Sequence, residues 1–392
     1  MYTTRRRAGF SLVELMVSVV VGMLALLFAT RLITSAEQNR NASLGGSDSM
    51  QNGMLALFSI NNDAAAAGWG LNDTLVAGCD TVFTDANGYT LAPALRGGAT
   101  ITPMAAVIIE PHGADPDRIT FYTGNSAAAV GSVKTSIAYS GGSTIRTTSR
   151  PPYNFNPGDV LLVAPEPAGT GQCALAQVTA IAPAPNDDTI DFSPGASFRF
   201  NTAAGLGANF GAGQARIFDL GRGDKLAFHS WSVNNGILLL NATELAGAEA
   251  QPVSVIDNIV SIKAQYGFDT RVLPNYDPAP DADGVQIGQW SSDIVNADGD
   301  AVTGSAGDFQ RIVAVRIAVV ARSKNPERPD GAGHCSATTV LPQVFDSVAP
   351  PGVTAVPVSV NVAVAGDPID WKCYRYRVFE TIVSLRNSEW RP

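Results

Sequence analysis

The longest apolar run of the sequence lies near its N-terminus, from Phe10 to Ala29. Only two serines, one glutamate and one glycine interrupt it. Twenty helical residues rise about 30 Å, which matches the hydrocarbon core of a bilayer. The pattern therefore predicts a transmembrane helix over residues 10–30.

Helical periodicity continues, with more polar residues, over residues 31–70. Apolar side chains recur there at steps of three and four, which is typical of one helical face. They are Met50, Met54, Leu57, Ile60, Ala64 and Ala67. We expect this face to pack on a globular head. Gly45-Gly46 interrupts the pattern and predicts a bend or break.

Beyond residue 70, short β-like runs alternate with turn residues. The runs predicted as strands include Val107–Glu110, Arg118–Tyr122, Asp159–Ala164, Ala174–Ile181 and Ala215–Leu220. Plentiful glycine (38) and proline (24) also favour a turn-rich β structure.

Later strands carry clearer signals. Asn235-Gly236 joins Lys225–Val233 to Ile237–Leu240, and this dipeptide is typical of a tight β-hairpin. Ile312–Arg322 is apolar on both alternating faces, which predicts a central strand covered on both sides. Tyr374–Leu385 alternates apolar and polar residues in its first half.

Length and composition limit the class of protein. The chain has 392 residues, 45% of them hydrophobic and 16% charged, so it can bury a substantial core in one large domain or two. We place a boundary near residues 221–224, which divides the β-rich part into 71–220 and 221–392. The formal net charge is -9. An acidic protein of this kind repels a phosphate backbone, so nucleic acid is excluded as an expected partner.

The segment before the apolar run is basic, with Arg5, Arg6 and Arg7. By the positive-inside rule these arginines stay in the cytoplasm, which places the rest of the chain outside the inner membrane, in the periplasm. A cleaved secretory signal, with Thr34-Ser35-Ala36 as a weak cleavage site, and a twin-arginine signal are alternatives. A plain signal anchor leaves Glu14 unexplained, because a carboxylate in an apolar helix costs about 2.5–3.5 kcal/mol.

The N-terminal residues carry a family resemblance. Gly9-Phe10-Ser11-Leu12-Val13-Glu14 resembles the cleavage motif of prepilins. The resemblance implies that a prepilin peptidase removes leader residues 1–9 by cutting between Gly9 and Phe10, and that Phe10 is then N-methylated. Glu14 becomes the fifth residue of the mature chain. In a low-dielectric environment its carboxylate can neutralise the terminal ammonium of a neighbouring subunit and so fix the register of a filament.

Further segments resemble the PilW family of minor pilins. They are Leu55–Asp63, Ala67–Gly70 leading to Cys79, Asp159–Val163 leading to Cys173, Val260–Asp269, Arg311–Ser323 and Tyr376–Asn387. The chain departs from the family at Asp63-Ala64-Ala65, where PilW proteins often have Asp-Leu-Arg. Residues 80–158 and 327–370 resemble no family.

The PilW resemblance implies an α+β fold: a long N-terminal helix, its first half in the membrane, packed on a large antiparallel β-rich head. It implies a non-enzymatic minor pilin that joins other minor pilins and the major pilin to initiate pilus assembly or form the tip complex. A tip adhesin is a further expected partner, and the final location is the pilus. A minor pseudopilin of a type II secretion system shares the same N-terminal motif and is the first alternative. An adhesin whose head binds a receptor is another.

The remaining alternative is a periplasmic hydrolase held by a signal anchor. The sequence has no Gly-Lys of a Walker loop, no Gly-x-Ser-x-Gly elbow and no HExxH. Its three histidines, His112, His229 and His334, are scattered. Ordinary structural roles are therefore expected for them.

Four cysteines occur at wide spacing, namely Cys79, Cys173, Cys335 and Cys373. An even number without a CxxC pair favours disulfides over zinc, and export from the cytosol allows them to persist. Three connectivities are open. Pairing within the sequence-local pairs, Cys79 with Cys173 and Cys335 with Cys373, is the most economical.

Two loops are rich in oxygen ligands. One contains Asp277, Asp281 and Asp283, and the other Asn296, Asp298 and Asp300. Calcium prefers six to eight oxygen ligands in such loops, although the spacing differs from an EF-hand and no glutamate closes either loop. Solvated turn carboxylates are the expected role, with calcium as the alternative. No other cofactor is expected.

Overall fold

The structure is a computed structural model that describes residues 11–127, 131–272, 275–276 and 284–385. It begins with one long helix, α1 (Leu12–Ala66), of 55 residues. The helix runs through Gly45-Gly46 without interruption, so the predicted break there is wrong. The backbone of a glycine remains compatible with a helix when its neighbours pack, at a cost of about 1 kcal/mol relative to alanine.

The strands after α1 are short in the first half of the head and longer in the second. In chain order they are β1 (Cys79–Val82), β2 (Ala94–Arg96), β3 (Ala99–Ile101), β4 (Pro103–Met104), β5 (Val107–Glu110), β6 (Arg118–Thr123), β7 (Ser132–Lys134), β8 (Thr144–Arg146), β9 (Asp159–Pro165), β10 (Cys173–Gln177), β11 (Ala180–Ile181), β12 (Thr189–Asp191), β13 (Ala215–Arg222), β14 (Ala227–Asn234), β15 (Ile237–Ala242), β16 (Val253–Asp257), β17 (Ile259–Phe268), β18 (Gln289–Ser291), β19 (Ile312–Arg322), β20 (Gln343–Val344), β21 (Val358–Ser359) and β22 (Tyr376–Ser384). A short helix, α2 (Ala306–Gln310), precedes β19, and 3-10 turns lie at Gly223–Lys225 and Trp371–Cys373.

Three larger sheets build the head. A six-stranded sheet has the order β4-β1-β10-β9-β13-β7, a five-stranded sheet β16-β15-β14-β6-β5, and a four-stranded sheet β18-β17-β19-β22. A three-stranded sheet, β11-β12-β8, and two strand pairs, β2-β3 and β20-β21, complete the pairing. The strands are antiparallel, as expected, except that β1 pairs with β10 in parallel. The fold is thus the α+β arrangement of a long helix and a large β-rich head.

The strongest local signals of the sequence have the predicted structure. Asn235 and Gly236 have φ angles of 51° and 75° and connect β14 to β15 in a two-residue hairpin. β19 has the predicted bounds, pairs with β17 on one side and β22 on the other, and is buried on both faces. Ala174–Ile181 is not one strand: its first part pairs with β9 and its last two residues with β12, so the chain changes sheets at this point.

The expected division near residue 221 does not coincide with a boundary between sheets. β5 and β6 come before it, and β14 to β16 come after it, yet all five strands share one sheet. Side chains from α1 and from the three larger sheets also share one hydrophobic core. A second core lies between the six-stranded and three-stranded sheets.

Residues 324–373 form a long connection between the neighbouring strands β19 and β22. Val344, Phe345 and Val360 from this segment are buried against Ala318 and Val320 of β19. They cover the face of the four-stranded sheet opposite to Ile317 and Val319, which belong to the main core with α1. This segment explains why β19 is apolar on both faces.

Candidate assembly helix and its attachment to the head

The first half of α1 is an exposed apolar rod. Within the described residues, Leu12–Thr34 is the one helical segment long and apolar enough to cross a membrane. Its threonine hydroxyls bond within the helix: that of Thr30 donates to the Leu26 carbonyl (3.0 Å), and that of Thr34 to the Thr30 carbonyl (2.8 Å). Such bonds within a helix lower the cost of placing hydroxyl groups in lipid.

Glu14 lies in the first turn of α1 and is exposed. The Glu14 carboxylate lies near the positive end of the helix dipole. Gly9 and Phe10, the residues of the predicted cleavage and methylation, lie outside the described residues.

The second half of α1 packs on the head through small side chains. Its most deeply buried residues lie at steps of three and four, and they are Ser49, Gly53, Ala56, Ile60, Ala64 and Ala67. The predicted stripe is right for its last three members, whereas Met50 and Met54 are 47% and 54% exposed. Small side chains let the helix axis approach the sheet closely, and the larger methionines are thereby left on the flank.

At Gly53, α1 packs tightly against the four-stranded sheet. A Cβ atom at this position would overlap the ring of Phe379 on β22. The glycine therefore serves packing rather than backbone flexibility. The sequence did not predict this packing role, because a glycine inside a helical pattern normally indicates a weaker helix.

A polar cluster attaches the end of α1 to the five-stranded sheet. Asp63 Oδ2 lies 2.8 Å from His229 Nδ1 and accepts a hydrogen bond of 2.7 Å from Trp231 Nε1. The other ring nitrogen of His229 lies 2.5 Å from Glu244 Oε1. We call Asp63, His229, Trp231 and Glu244 the helix latch.

The latch holds a charged imidazole. Burial of His229 opposes its charged form, but hydrogen bonds and the negative charges of Asp63 and Glu244 outweigh burial and raise its pKa to about 10. Both ring nitrogens already face carboxylates, so His229 has no free nitrogen with which to activate a nucleophile. His112 and His334 are exposed on separate loops. The geometry of the described histidines therefore gives no support to the hydrolase alternative.

The solvent side of the docked half of α1 remains apolar. Met50, Met54, Leu55 and Phe58 are each about half exposed or more. Exposed contiguous apolar side chains of this kind mark interaction surfaces. This surface lies on the same helix as the apolar rod, separated from it by the polar residues 35–49.

All four cysteines form disulfides in the expected pairs. Cys79 bonds Cys173 and so joins the paired strands β1 and β10. Cys335 bonds Cys373 and closes most of the connection between β19 and β22. The two bonds thus hold different parts of the head.

The calcium candidates are not gathered into a site by the described residues. Asp277, Asp281 and Asp283 lie outside them. In the second loop, Asn296 Oδ1 accepts from the Gly299 amide (2.9 Å), Asp298 Oδ1 from the Asp300 amide (3.0 Å), and Asp300 Oδ1 from the Val302 amide (2.7 Å). These are the local turn bonds of Asx residues. No group of three or more histidine, cysteine or acidic residues with metal-ligand geometry occurs in the described part of the chain.

Two protein-family models match the chain. Residues 4–30 match the prokaryotic N-terminal methylation motif. Residues 232–387, from β14 through β22, match the model of type IV pilus-assembly protein W. The chain is therefore a type IV pilin-like protein with a prepilin motif. Its head carries the PilW domain, and the resemblance to the PilW family is confirmed.

Comparison with solved structures finds, among others, a type IV-like pilin from Thermus thermophilus. The two are 11% identical, the match covers 87% of this chain and 96% of that chain, and the TM-score is 0.29. A comparison with curated protein sequences finds no match.

Proposed function

We propose that this protein is a minor pilin of a type IV pilus that takes part in initiating pilus assembly, in or next to the tip complex. The observation that carries the proposal is the presence on one chain of both an N-terminal methylation motif, at residues 4–30, and a match to the PilW model, at residues 232–387. The exposed apolar rod supplies the membrane anchor and, later, the contact with other pilins.

The proposed path has three steps. Prepilin peptidase cuts between Gly9 and Phe10 on the cytoplasmic side, and Phe10 is methylated. The mature chain stays in the inner membrane through Leu12–Thr34, with its head in the periplasm. It then leaves the bilayer with other minor pilins and the major pilin, and the Glu14 carboxylate pairs with the terminal ammonium of an adjacent subunit.

The size of the head supports a place near the tip. The head comprises everything after α1, with three larger sheets and two disulfides. A head of this size is difficult to repeat at every position of a close-packed shaft, whereas a terminal position leaves space on one side. The PilW domain favours the pilus over a type II secretion system.

Mass spectrometry of the N-terminus tests the proposal. Protein isolated from membranes should begin at methylated Phe10, and Gly9→Val should accumulate as uncut precursor. Gly22→Val, a matched change inside the apolar rod where no atom lies within 4 Å of an added Cβ, should be cut normally. An intact leader in otherwise normal cells, or a mature chain beginning near Glu37, would contradict the proposal.

A further inference from the structure

The last strand of the four-stranded sheet has an open side. β22 pairs with β19 along its nine residues, and the described residues place no strand on its other side. It is the longest edge strand in the described part of the head. Natural proteins normally shorten, cover or interrupt such edges, since an open edge is a template for another strand.

The hydrogen-bond ladder identifies the free backbone groups. The Leu385 amide donates to the Val313 carbonyl, and the Ser323 amide donates to the Arg375 carbonyl, so odd-numbered residues bond β19. Backbone groups alternate in direction along an antiparallel strand. The amides and carbonyls of the even-numbered residues therefore point outward, and no described group bonds them; these residues are Tyr376, Val378, Glu380, Ile382 and Ser384.

A different edge strand, β5, has an outward backbone group bonded by a side chain. β5 ends the five-stranded sheet, but the Tyr266 hydroxyl accepts a hydrogen bond of 2.5 Å from the Ile109 amide. β22 has no comparable cover among the described residues. In addition, the side chains of Val378 and Ile382 are 37% and 39% exposed.

The flank of α1 beside this edge is apolar. On the opposite flank Asn52 donates to the Asp257 carbonyl and Asp63 joins the latch, so that flank faces the five-stranded sheet. Met50, Met54 and Phe58 then lie on the side of the β22 edge, by the 100° rotation per helical residue. A partner on this surface meets the strand edge of β22 and the apolar side chains of α1 together.

The charge of Arg377 distinguishes a different partner strand from a second copy of β22. Arg377 is exposed on the α1 side of β22, and it has no ion-pair partner among the described residues. Residues that share a face come opposite each other when strands pair. The other residues on this face of β22 are Phe379, Thr381 and Val383, so a second copy of β22 offers Arg377 no carboxylate.

From these observations we infer that β22 accepts an extended strand from a different pilin-type subunit anchored in the same membrane, with an acidic residue opposite Arg377. The added strand extends the four-stranded sheet by main-chain hydrogen bonds, while the partner's long helix contacts Met50, Met54 and Phe58. This inference rests on the proposed function, because it names the surface by which the protein joins other pilins.

Photo-crosslinking of the full-length protein in the membranes of cells that make the other pilins tests the inference. A photoreactive residue at position 378 should form crosslinks to another pilin-type subunit. Ile382→Pro should reduce them at least tenfold, since the Ile382 amide points outward and its loss removes no bond to β19. Ile382→Ala, which keeps the amide, should retain most of the crosslinking.

A second pair of variants keeps the test valid if Ile382→Pro does not fold. Arg377→Glu should lower crosslinking several-fold, and Arg377→Lys should retain it, with an unchanged melting temperature and an intact Cys335–Cys373 disulfide in both. The inference is overturned by crosslinks to a second copy of this chain, by crosslinks to a protein without a membrane anchor, or by crosslinks that Ile382→Pro leaves unchanged.

A photoreactive residue at position 58 separates the two proposals. Crosslinks to pilins from position 58 but none from position 378 overturn the strand-addition inference and leave the proposed function standing. A chain that keeps its leader, or that crosslinks to no pilin from either position, overturns both.

Discussion

Gly53 of α1 lies against the ring of Phe379 on β22, and the contact leaves no space for a side chain at position 53. Gly53→Ala should therefore destabilise the docked helix despite the better helix propensity of alanine. Overpacking costs about 1–3 kcal/mol, which exceeds the gain of about 1 kcal/mol from propensity. Chemical denaturation of the detergent-solubilised protein measures the change.

Gly46→Ala is the matched control for this prediction. A Cβ there lies 3.6 Å from Arg377 Nη2, an ordinary contact, so propensity should dominate and stability should rise or stay equal. Equal effects of the two substitutions would show that Gly53 is not at a tight contact.

In the proposed function, Glu14 acts between subunits rather than within the chain. Glu14→Gln keeps the shape of the side chain but removes the charge that pairs with a neighbour's ammonium. Membrane insertion should be unchanged or improved, since a carboxylate opposes it, and cleavage at Gly9 should proceed. Recovery of the other minor pilins by co-purification should fall. Wild-type recovery with normal piliation would refute the electrostatic role.

The residues that contact the head could be predicted only in part from the sequence. The burial of Ile60, Ala64 and Ala67 follows from their helical spacing, because apolar side chains on one helical face normally pack on the core. Met50 and Met54 fit the same spacing but are exposed. Hydrophobicity does not distinguish a side chain that faces the core from one that faces a neighbouring subunit.

The helix latch joins two elements that are distant in sequence, the end of α1 and the strand β14. The pKa of His229 is raised from 6.5 to about 10 by its carboxylate partners, although burial opposes the rise. Because the pKa is raised in the folded state, the charged His229 contributes fully to the free energy of unfolding below pH 6.5. This contribution is lost as the pH rises through about 10.

Comparison with His229→Gln isolates this contribution. The wild type should be more stable than the variant at pH 6, and the difference should narrow steadily toward pH 10. Denaturation with urea at several pH values measures it. A difference that stays constant over this range would mean that His229 is not held as a charged group.

The sequence predicted an element well when residues next to each other in the chain determine its conformation. Asn235-Gly236 accepts positive φ angles, so the hairpin between β14 and β15 was readable from two residues. The division of Ala174–Ile181 between two sheets could not be predicted in this way. Both halves of the segment are apolar, and only their pairing with distant strands assigns them to different sheets.

At the scale of the whole molecule, two disulfides hold separate regions of the head. Non-reducing peptide mapping of exported protein should find no free thiol and should link Cys335 to Cys373. By the chain-entropy model, the loop of 38 residues between them corresponds to about 4 kcal/mol of stability.

Replacing both Cys335 and Cys373 by serine should therefore loosen the cover over the outer face of β19, and limited proteolysis should cut within residues 324–373 first. The Cys79 and Cys173 pair replaced by serine serves as the control, because that bond lies in another sheet. Free thiols at positions 335 and 373 in exported protein would disprove the predicted bond.

The arrangement of the sheets was the least predictable part. The sequence has turn signals near residues 221–224, but β6 from before them pairs with β14 from after them. Such pairing depends on contacts between residues about a hundred positions apart, for which a single sequence carries no local signal.

The position of the docking strands along the chain has a consequence for the order in which the protein is made. In the proposed orientation, α1 is synthesised and anchored first, whereas the strands that receive its second half begin at Ile259, Ile312 and Tyr376. Ala56, Ile60 and Ala64 therefore stay uncovered while most of the head is still being exported. A head with such long-range contacts folds slowly and late. Folding around the helix can finish only once β22 has left the translocation channel, so synthesis that stops before Tyr376 leaves an anchored subunit with a bare helix and an open β19.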